Sequence, residues 1–311
     1  MATESKIDLL NAAPIAQRKR ARRFFAAIFE YWALTKPEVN FLILITTFAG
    51  FYLALGTKPH GFPMTLALHT LLGTWLMAGG TGTLNQFIER SFDAQMRRTA
   101  RRPLASGRLK ASHVFWFGIA SSVVGAVYLA LAVNVLACSL AVVTLFSYLF
   151  LYTPLKRKTP LCTLIGAFPG AVPPLIGWAA ARGRLDLGAW VLYALVFLWQ
   201  FPHFMAIAWM YREDYARAGY LTLPAGKQRD RFAIWQSLAP SVALLAVSFV
   251  PAITGESGLV YSVAALICGS IFLYYSTHFA FRRSNVAARQ LLTASIVYLP
   301  LVFVSMTLDK K

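Results

Sequence analysis

Long apolar blocks separated by short polar stretches make up most of this chain. Nine apolar segments follow one another, and each is close to the ~20 residues that a helix needs to cross a bilayer. They lie at 39–57, 64–88, 112–132, 134–153, 161–181, 187–210, 232–254, 258–281 and 289–307. The pattern predicts an all-α polytopic membrane protein, a bundle of about nine transmembrane helices.

The start of the chain is polar and basic instead. Its arginines and lysines cluster at Arg18, Lys19, Arg20, Arg22 and Arg23. No apolar run of the kind found in secretory signals follows in the first 30 residues. We expect 1–38 to be a basic cytoplasmic segment on the membrane surface and 39–311 to be a single transmembrane domain. A mitochondrial presequence is the alternative, which Glu4, Asp8 and Glu30 disfavour.

Composition and charge agree with a membrane protein. The 311 residues are 58% hydrophobic and 14% charged, where soluble domains have about 25% charged residues. If the N-terminus is cytoplasmic, 25 of the 30 Lys and Arg residues fall on the inner side, which predicts an outer C-terminus. The net charge of +18 is thereby explained without nucleic acid. The three cysteines form no cluster, so neither a disulfide framework nor a zinc site is indicated.

An amide and two carboxylates are spaced four residues apart at the inner end of the second segment. On a continued helix, Asn85, Glu89 and Asp93 share one face. Oxygen ligands of this kind suit Mg²⁺, which shares its coordination with substrate phosphates. Simple ion pairing is an equally good explanation. Its expected partners are Arg90, Arg97 and Arg98.

Cations and a second acidic patch are predicted on the same side. Guanidinium groups suit diphosphate oxygens, and ordinary inner-side charge is the alternative. The candidates are Arg97, Arg98, Arg101 and Arg102, then Tyr152 with Lys156, Arg157 and Lys158. Glu213 and Asp214 end the sixth segment. Two acidic patches facing each other could hold Mg²⁺ around one diphosphate, with local ion pairing again the alternative.

Two features lie within the apolar segments. Three prolines and two glycines at 166–174 must break the fifth segment, and we interpret this break as cavity lining, with tight helix packing as the alternative. His203 lies eight residues before Tyr211, so roughly 12 Å from the inner surface. A histidine at this depth favours a functional role over a satisfied core group.

Taken together, the motifs resemble those of the UbiA-type membrane prenyltransferases, and the heme branch of that family is the more similar. The resemblance covers roughly 35–225. It is carried by Asn85-x3-Glu89-x3-Asp93, Arg98-Thr99, Arg102-Pro103-Leu104, Tyr152–Arg157, Gly170–Trp178, Trp199–Phe204 and Asp214–Gly219. The chain departs from the family at Glu89, where many members carry Asp, and at Cys162, where Asn is frequent.

The resemblance implies transfer of a farnesyl group from farnesyl diphosphate to a vinyl group of protoheme IX, which gives heme O. It implies Mg²⁺ as cofactor, held by Asn85, Glu89, Asp93 and Asp214. It also implies diphosphate binding by Arg98, Arg102, Tyr152, Lys156 and Arg157. Lys156 is expected to act with the metal ligands in catalysis, and His203 is expected on the heme side.

The same resemblance implies a location and partners. We expect the cell inner membrane, or the mitochondrial inner membrane in a eukaryote, with membrane lipid around the protein and heme A synthase as a partner. A quinone-precursor prenyltransferase is the alternative enzyme, and a noncatalytic assembly factor also remains open. A secondary transporter is disfavoured, because transporters place their polar sites near the midplane.

Overall fold

The computed structural model describes residues 25–56, 61–224 and 226–311 and is almost entirely helical there. Most of the predicted basic segment, including Arg18 to Arg23, lies outside these residues, so its boundary at residue 38 stays a prediction. The helices are α1 (Phe25–Leu34), α2 (Pro37–Ala54), α3 (Met64–Asp93), α4 (Ala111–Ala132), α5 (Val135–Phe146), α6 (Thr153–Leu155), α7 (Cys162–Gly170), α8 (Pro173–Arg182), α9 (Leu187–Met210), α10 (Arg212–Arg217), α11 (Lys227–Val247), α12 (Val250–Ile253), α13 (Leu259–Arg282) and α14 (Asn285–Leu308).

Eight helical stretches in the described part of the chain are long and apolar enough to cross a membrane. They are Pro37–Ala54, Ala111–Ala132, Val135–Leu155, Cys162–Arg182, Leu187–Met210, Gln228–Ile253, Leu259–Arg282 and Asn285–Leu308. Each corresponds to one predicted segment. The all-α membrane class is therefore confirmed, and the predicted orientation stays a prediction.

The second predicted segment corresponds to α3, which lies outside that apolar set. It has 30 residues, about 45 Å of helix, and it continues five residues beyond the predicted end at 88. The extension is polar and carries Glu89, Arg90 and Asp93. Because α3 runs unbroken to Asp93, the expected row of oxygen ligands forms on one helix.

The broken fifth segment is tightly packed. α7 ends at Gly170 and α8 begins at Pro173, and every residue from 171 to 180 is buried. A Cβ added at Gly177 would overlap the backbone carbonyl of Thr47 on α2, and one at Gly50 would overlap Pro174. Small residues that let helix backbones approach this closely are typical of membrane interfaces. The close contacts of this segment therefore support tight packing instead of the predicted cavity lining.

We expect Gly177→Ala to lower the thermal unfolding temperature in detergent, because its methyl group has no room against α2. Overpacking of this kind costs roughly 1–3 kcal/mol of unfolding free energy. Gly56→Ala is the matched control, since a Cβ there would meet nothing within 4 Å. Equal unfolding temperatures for the two variants would contradict the close α2–α8 contact.

Candidate active site

The buried polar side chains of α3 converge with two other elements at one end of the bundle. Asn85, Glu89 and Asp93 are 1%, 5% and 2% exposed. Around them lie Lys36, which precedes α2, and Lys156, which follows α6. A burial this complete is unusual for carboxylates unless they are paired. The partners of these side chains therefore indicate which kind of ligand this end of the bundle can bind.

Each of the three α3 side chains accepts a hydrogen bond from a cation. The Lys36 ammonium lies 2.7 Å from Asn85 Oδ1, and the Lys156 ammonium lies 2.8 Å from Glu89 Oε1. Arg102 Nη1 lies 2.7 Å from Asp93 Oδ2. Three oxygen-bearing side chains along about two turns of one helix face are thus each paired with a cation.

The ion pairs differ from those expected from local spacing. Arg90 turns back to the carbonyl of Phe87, and Arg98 lies over the ring of Tyr211, 5.0 Å from its centroid. No salt bridge of the described chain involves either arginine or Arg97. The alternative of pairing within the helix end is therefore wrong in its partners, because two of the three cations come from distant parts of the sequence.

Lys36 is a site residue that the sequence interpretation missed. It has φ 53° and ψ 62°, a left-handed backbone that costs a non-glycine residue of order 1–3 kcal/mol. Burial, together with the charge of Arg102, lowers the pKa of Lys36 to about 7. Neither the strain nor the burial favours folding by itself. The available signal was a lysine followed by a proline, Lys36-Pro37, just before the first apolar segment.

A π-helical turn between α5 and α6 orients Lys156. The turn covers Ser147–Tyr152, and it rotates the following residues relative to a regular helix. As a result, Thr153 accepts a hydrogen bond from Asn85 Nδ2 at 3.1 Å, and Lys156 reaches Glu89. Burial alone would lower the pKa of Lys156, but the Glu89 carboxylate reverses this effect and raises it well above its usual value.

Aromatic rings enclose the Lys156 ammonium. It lies 4.5 Å from the ring centroid of Tyr152 and 5.9 Å from that of Tyr220. The Tyr220 hydroxyl is buried close to the Glu89 carboxylate but outside normal hydrogen-bond geometry. Burial, with the charge of Glu89, raises the pKa of this hydroxyl, so it stays protonated. An unpaired buried donor beside a lysine is suited to an anionic oxygen of a ligand.

The second acidic patch reaches the same end of the bundle through α10. Asp214 is 9% exposed and pairs with Arg217 at 3.1 Å, whereas Glu213 is exposed. The loop after α10 is tied to the α3 end by the backbone bond from Leu221 to the Lys156 carbonyl, 2.7 Å long. The structure thus brings Asp214 to the same end of the bundle as Asn85, Glu89 and Asp93 of α3. No described contact joins the Asp214 side chain to these three.

The remaining predicted diphosphate ligands border this patch. Arg157 lies over the ring of Phe92, 4.3 Å from its centroid. Arg98 also lies 3.3 Å from the hydroxyl of Tyr215. Stacking on aromatic rings holds these guanidinium groups at the rim while leaving their N–H groups available to a ligand.

His203 lies apart from the α3 patch, on α9. Its Nδ1 is 2.8 Å from the hydroxyl of Ser295 on α14, and its ring stacks on Trp199 with centroids 4.6 Å apart. No described contact joins His203 to Glu89 or Asp93. The structure therefore separates a charged centre at the helix ends from an imidazole deeper in the bundle.

The donor chemistry of the site fits Mg²⁺. Asn85, Glu89, Asp93 and Asp214 offer hard oxygen atoms, and Mg²⁺ in proteins is commonly bound by one or two carboxylates with substrate phosphates completing its shell. Within the described ranges, no three His, Cys, Asp and Glu side chains are grouped so that they could hold a metal ion, so phosphate oxygens would have to supply part of the shell. The buried, unpaired Tyr220 hydroxyl provides a further polar group for the phosphate part of such a complex.

Known proteins share the sequence and the fold. Residues 43–303 match the UbiA prenyltransferase family. A protein named protoheme IX farnesyltransferase from Solibacter usitatus is 48% identical over 287 residues, which cover 90% of this chain and 98% of that protein.

Two solved structures share the fold at low identity. A digeranylgeranylglyceryl phosphate synthase has a TM-score of 0.74 at 18% identity and covers 91% of this chain and 98% of its own. A UbiA homologue from Archaeoglobus fulgidus, bound to GPP and Mg²⁺, has a TM-score of 0.60 at 15% identity, with 89% and 99% covered. The family match and the close relative are decisive, and the chain belongs to the UbiA prenyltransferase family.

Proposed function

We propose that this protein transfers a farnesyl group from farnesyl diphosphate to a vinyl group of protoheme IX, giving heme O and diphosphate. The observation that carries the proposal is the buried oxygen row of α3, in which Asn85, Glu89 and Asp93 each face a cation. The acceptor follows from the relative named protoheme IX farnesyltransferase. Heme O in turn serves the biogenesis of heme A and of heme–copper oxidases.

The reaction makes one carbon–carbon bond and one carbon–oxygen bond, and it breaks the carbon–oxygen bond to diphosphate. The allylic carbon of the farnesyl group separates from the diphosphate oxygen, and the vinyl group attacks it. Water then adds to the cation left on the porphyrin side chain and loses a proton, which gives the hydroxyethylfarnesyl group. The site must therefore stabilise the highly charged diphosphate that departs and keep water away from the first cation.

The charged side chains at the α3 end serve the leaving group in this proposal. Asn85, Glu89, Asp93 and Asp214 would hold Mg²⁺, which when bound supplies Lewis-acid stabilisation of the diphosphate. The cations and the phenol would bind the phosphate oxygens that accumulate charge. These diphosphate ligands are Arg98, Arg102, Tyr152, Lys156 and Arg157, with Tyr220 added from the structure.

The cellular setting completes the proposal. Eight apolar helices support a multi-pass membrane protein, and we place it in the cell inner membrane, or in the mitochondrial inner membrane of a eukaryote. In that membrane lipid surrounds the bundle, and heme A synthase would receive the product. The transmembrane unit would be a single domain from residue 39 to residue 311, preceded by a basic segment, 1–38, on the cytoplasmic side.

The test is product formation by the purified full-length protein in detergent with Mg²⁺, farnesyl diphosphate and protoheme. We expect mass spectrometry to show a mass increase of one farnesyl group plus one hydroxyl group on the heme. A parallel reaction with 4-hydroxybenzoate tests the quinone-precursor alternative. Prenylation of 4-hydroxybenzoate without heme O would overturn the proposed acceptor. No product in either reaction would favour a transporter or an assembly factor.

A further inference from the structure

Ser295 contacts His203, the histidine that is predicted to lie on the heme side. Its hydroxyl lies at the interface of α14 and α9 and is fully buried. Two atoms lie within hydrogen-bond distance of the Ser295 oxygen: His203 Nδ1 at 2.8 Å and the Leu292 carbonyl oxygen at 2.6 Å. The atom that accepts the hydroxyl hydrogen determines which ring nitrogen of His203 carries a proton.

The Leu292 carbonyl settles that question, because a carbonyl oxygen can only accept. A hydroxyl has a single hydrogen, so Ser295 must donate it to Leu292. Ser295 therefore accepts from His203, and Nδ1 of His203 carries a proton. In the neutral ring the other nitrogen, Nε2, is then unprotonated and presents a lone pair.

Trp199 fixes the ring in a second direction. The indole stacks on the imidazole at an interplanar angle of 25°, and its N–H donates to the Ser295 backbone carbonyl at 2.8 Å. Nε2 of His203 has no hydrogen-bond partner among the described residues, and it is not one of the fully enclosed polar atoms that lack a partner. The imidazole is thus held on two sides, while Nε2 is left open.

We propose that His203 Nε2 is the axial ligand of the protoheme iron and that Ser295 is the residue that positions it. A metal-bound histidine commonly donates its other N–H to a fixed acceptor, which sets the tautomer and the ring orientation. This inference rests on the proposed function, since heme is the substrate there. It adds that the iron is anchored roughly 12 Å along α9 from Tyr211, so the porphyrin edge can extend toward the charged end.

The experiment measures heme binding without catalysis. Ferric and ferrous protoheme are titrated separately into the purified full-length protein in detergent, without farnesyl diphosphate, and the Soret band is recorded. We expect the wild-type protein to show a nitrogen-ligated spectrum and His203→Ala to lose it. Added imidazole should restore the spectrum of His203→Ala, because it replaces the missing ligand.

The Ser295 variants separate positioning from general stability. Ser295→Ala should weaken heme binding about 10–100-fold, the usual effect of removing such a partner, and should shift the Soret band. Ser295→Thr keeps the hydroxyl and should retain the wild-type spectrum. Ser276→Ala is the matched control, since it removes a buried serine hydroxyl that bonds Ser241 between two other helices.

Two results would overturn the inference. A wild-type Soret spectrum in His203→Ala would exclude the axial ligand. A wild-type spectrum and affinity in Ser295→Ala, or an equal loss in Ser276→Ala, would exclude the positioning role. Either result could occur while the protein still forms heme O, so failure of this inference is distinguishable from failure of the proposed function.

Discussion

Asp93→Asn and Asn85→Ala are each expected to lower the rate of heme O formation by roughly 10²–10³-fold, while the protein still inserts in the membrane. Losses of this size follow when a group that stabilises transition-state charge is removed. Asp93 is almost fully buried, and Asn at this position keeps the shape while removing the charge that would bind Mg²⁺. Single-turnover assays with mass-spectrometric detection of heme O would measure the rates.

The second acidic patch supplies a matched pair of variants for this experiment. Asp214→Asn should also reduce the rate, because Asp214 is buried at the same end of the bundle. Glu213→Gln changes the adjacent carboxylate, which is exposed, and should leave the rate unchanged. Full activity in both Asp93→Asn and Asn85→Ala would rule out a metal–diphosphate site on α3.

Lys156→Met is expected to destabilise the protein by about 3–5 kcal/mol, because it leaves the Glu89 carboxylate buried and unpaired. The side chains of this ion pair are 14% and 7% exposed. Adding Glu89→Gln should recover most of the lost stability, since the double variant contains no buried charge at this position. Unfolding in detergent, followed by circular dichroism against temperature, would measure both effects.

The rate of heme O formation by the double variant is the second measurement. The double variant should fold but remain inactive, because it lacks the cation expected to bind the departing diphosphate. Arg184→Met is the control, since Arg184 is 74% exposed in its pair with Asp186 and such pairs contribute at most about 1 kcal/mol. A fully active double variant would show that the Lys156–Glu89 pair is structural only.

The helices and the acidic face of α3 could be predicted from the sequence because both depend on local spacing. Apolar runs of membrane-spanning length gave helices close to the observed bounds, and residues four apart on a helix necessarily share a face. Glu89 and Asp93 were therefore found as candidates without any knowledge of the tertiary structure. No local spacing of this kind connects Lys36 to its partner Asn85, which is 49 residues away.

The partners of the acidic residues could not be predicted, because they depend on how the helices pack. Arg90 and Arg98 are close to Glu89 and Asp93 in sequence. Glu89 nevertheless pairs with Lys156, which the π-helical turn after α5 orients toward it. Such a turn has no clear sequence signal. Tyr220 belongs to none of the motifs that indicate the site, and only its burial beside Glu89 indicates a role for its hydroxyl.

The sequence separation of Glu89 and Lys156 affects the order in which the helices can insert into the membrane. The two residues are 67 positions apart, and Tyr220 follows later still. A ribosome therefore completes α3 well before the cation that neutralises Glu89 exists. Because an unpaired charge is costly within a bilayer, we expect the inner end of α3 to remain at the aqueous surface until α5 and α6 have been inserted. The last turns of α3 would thus enter the bundle late in biogenesis, together with the residues that complete the charged site.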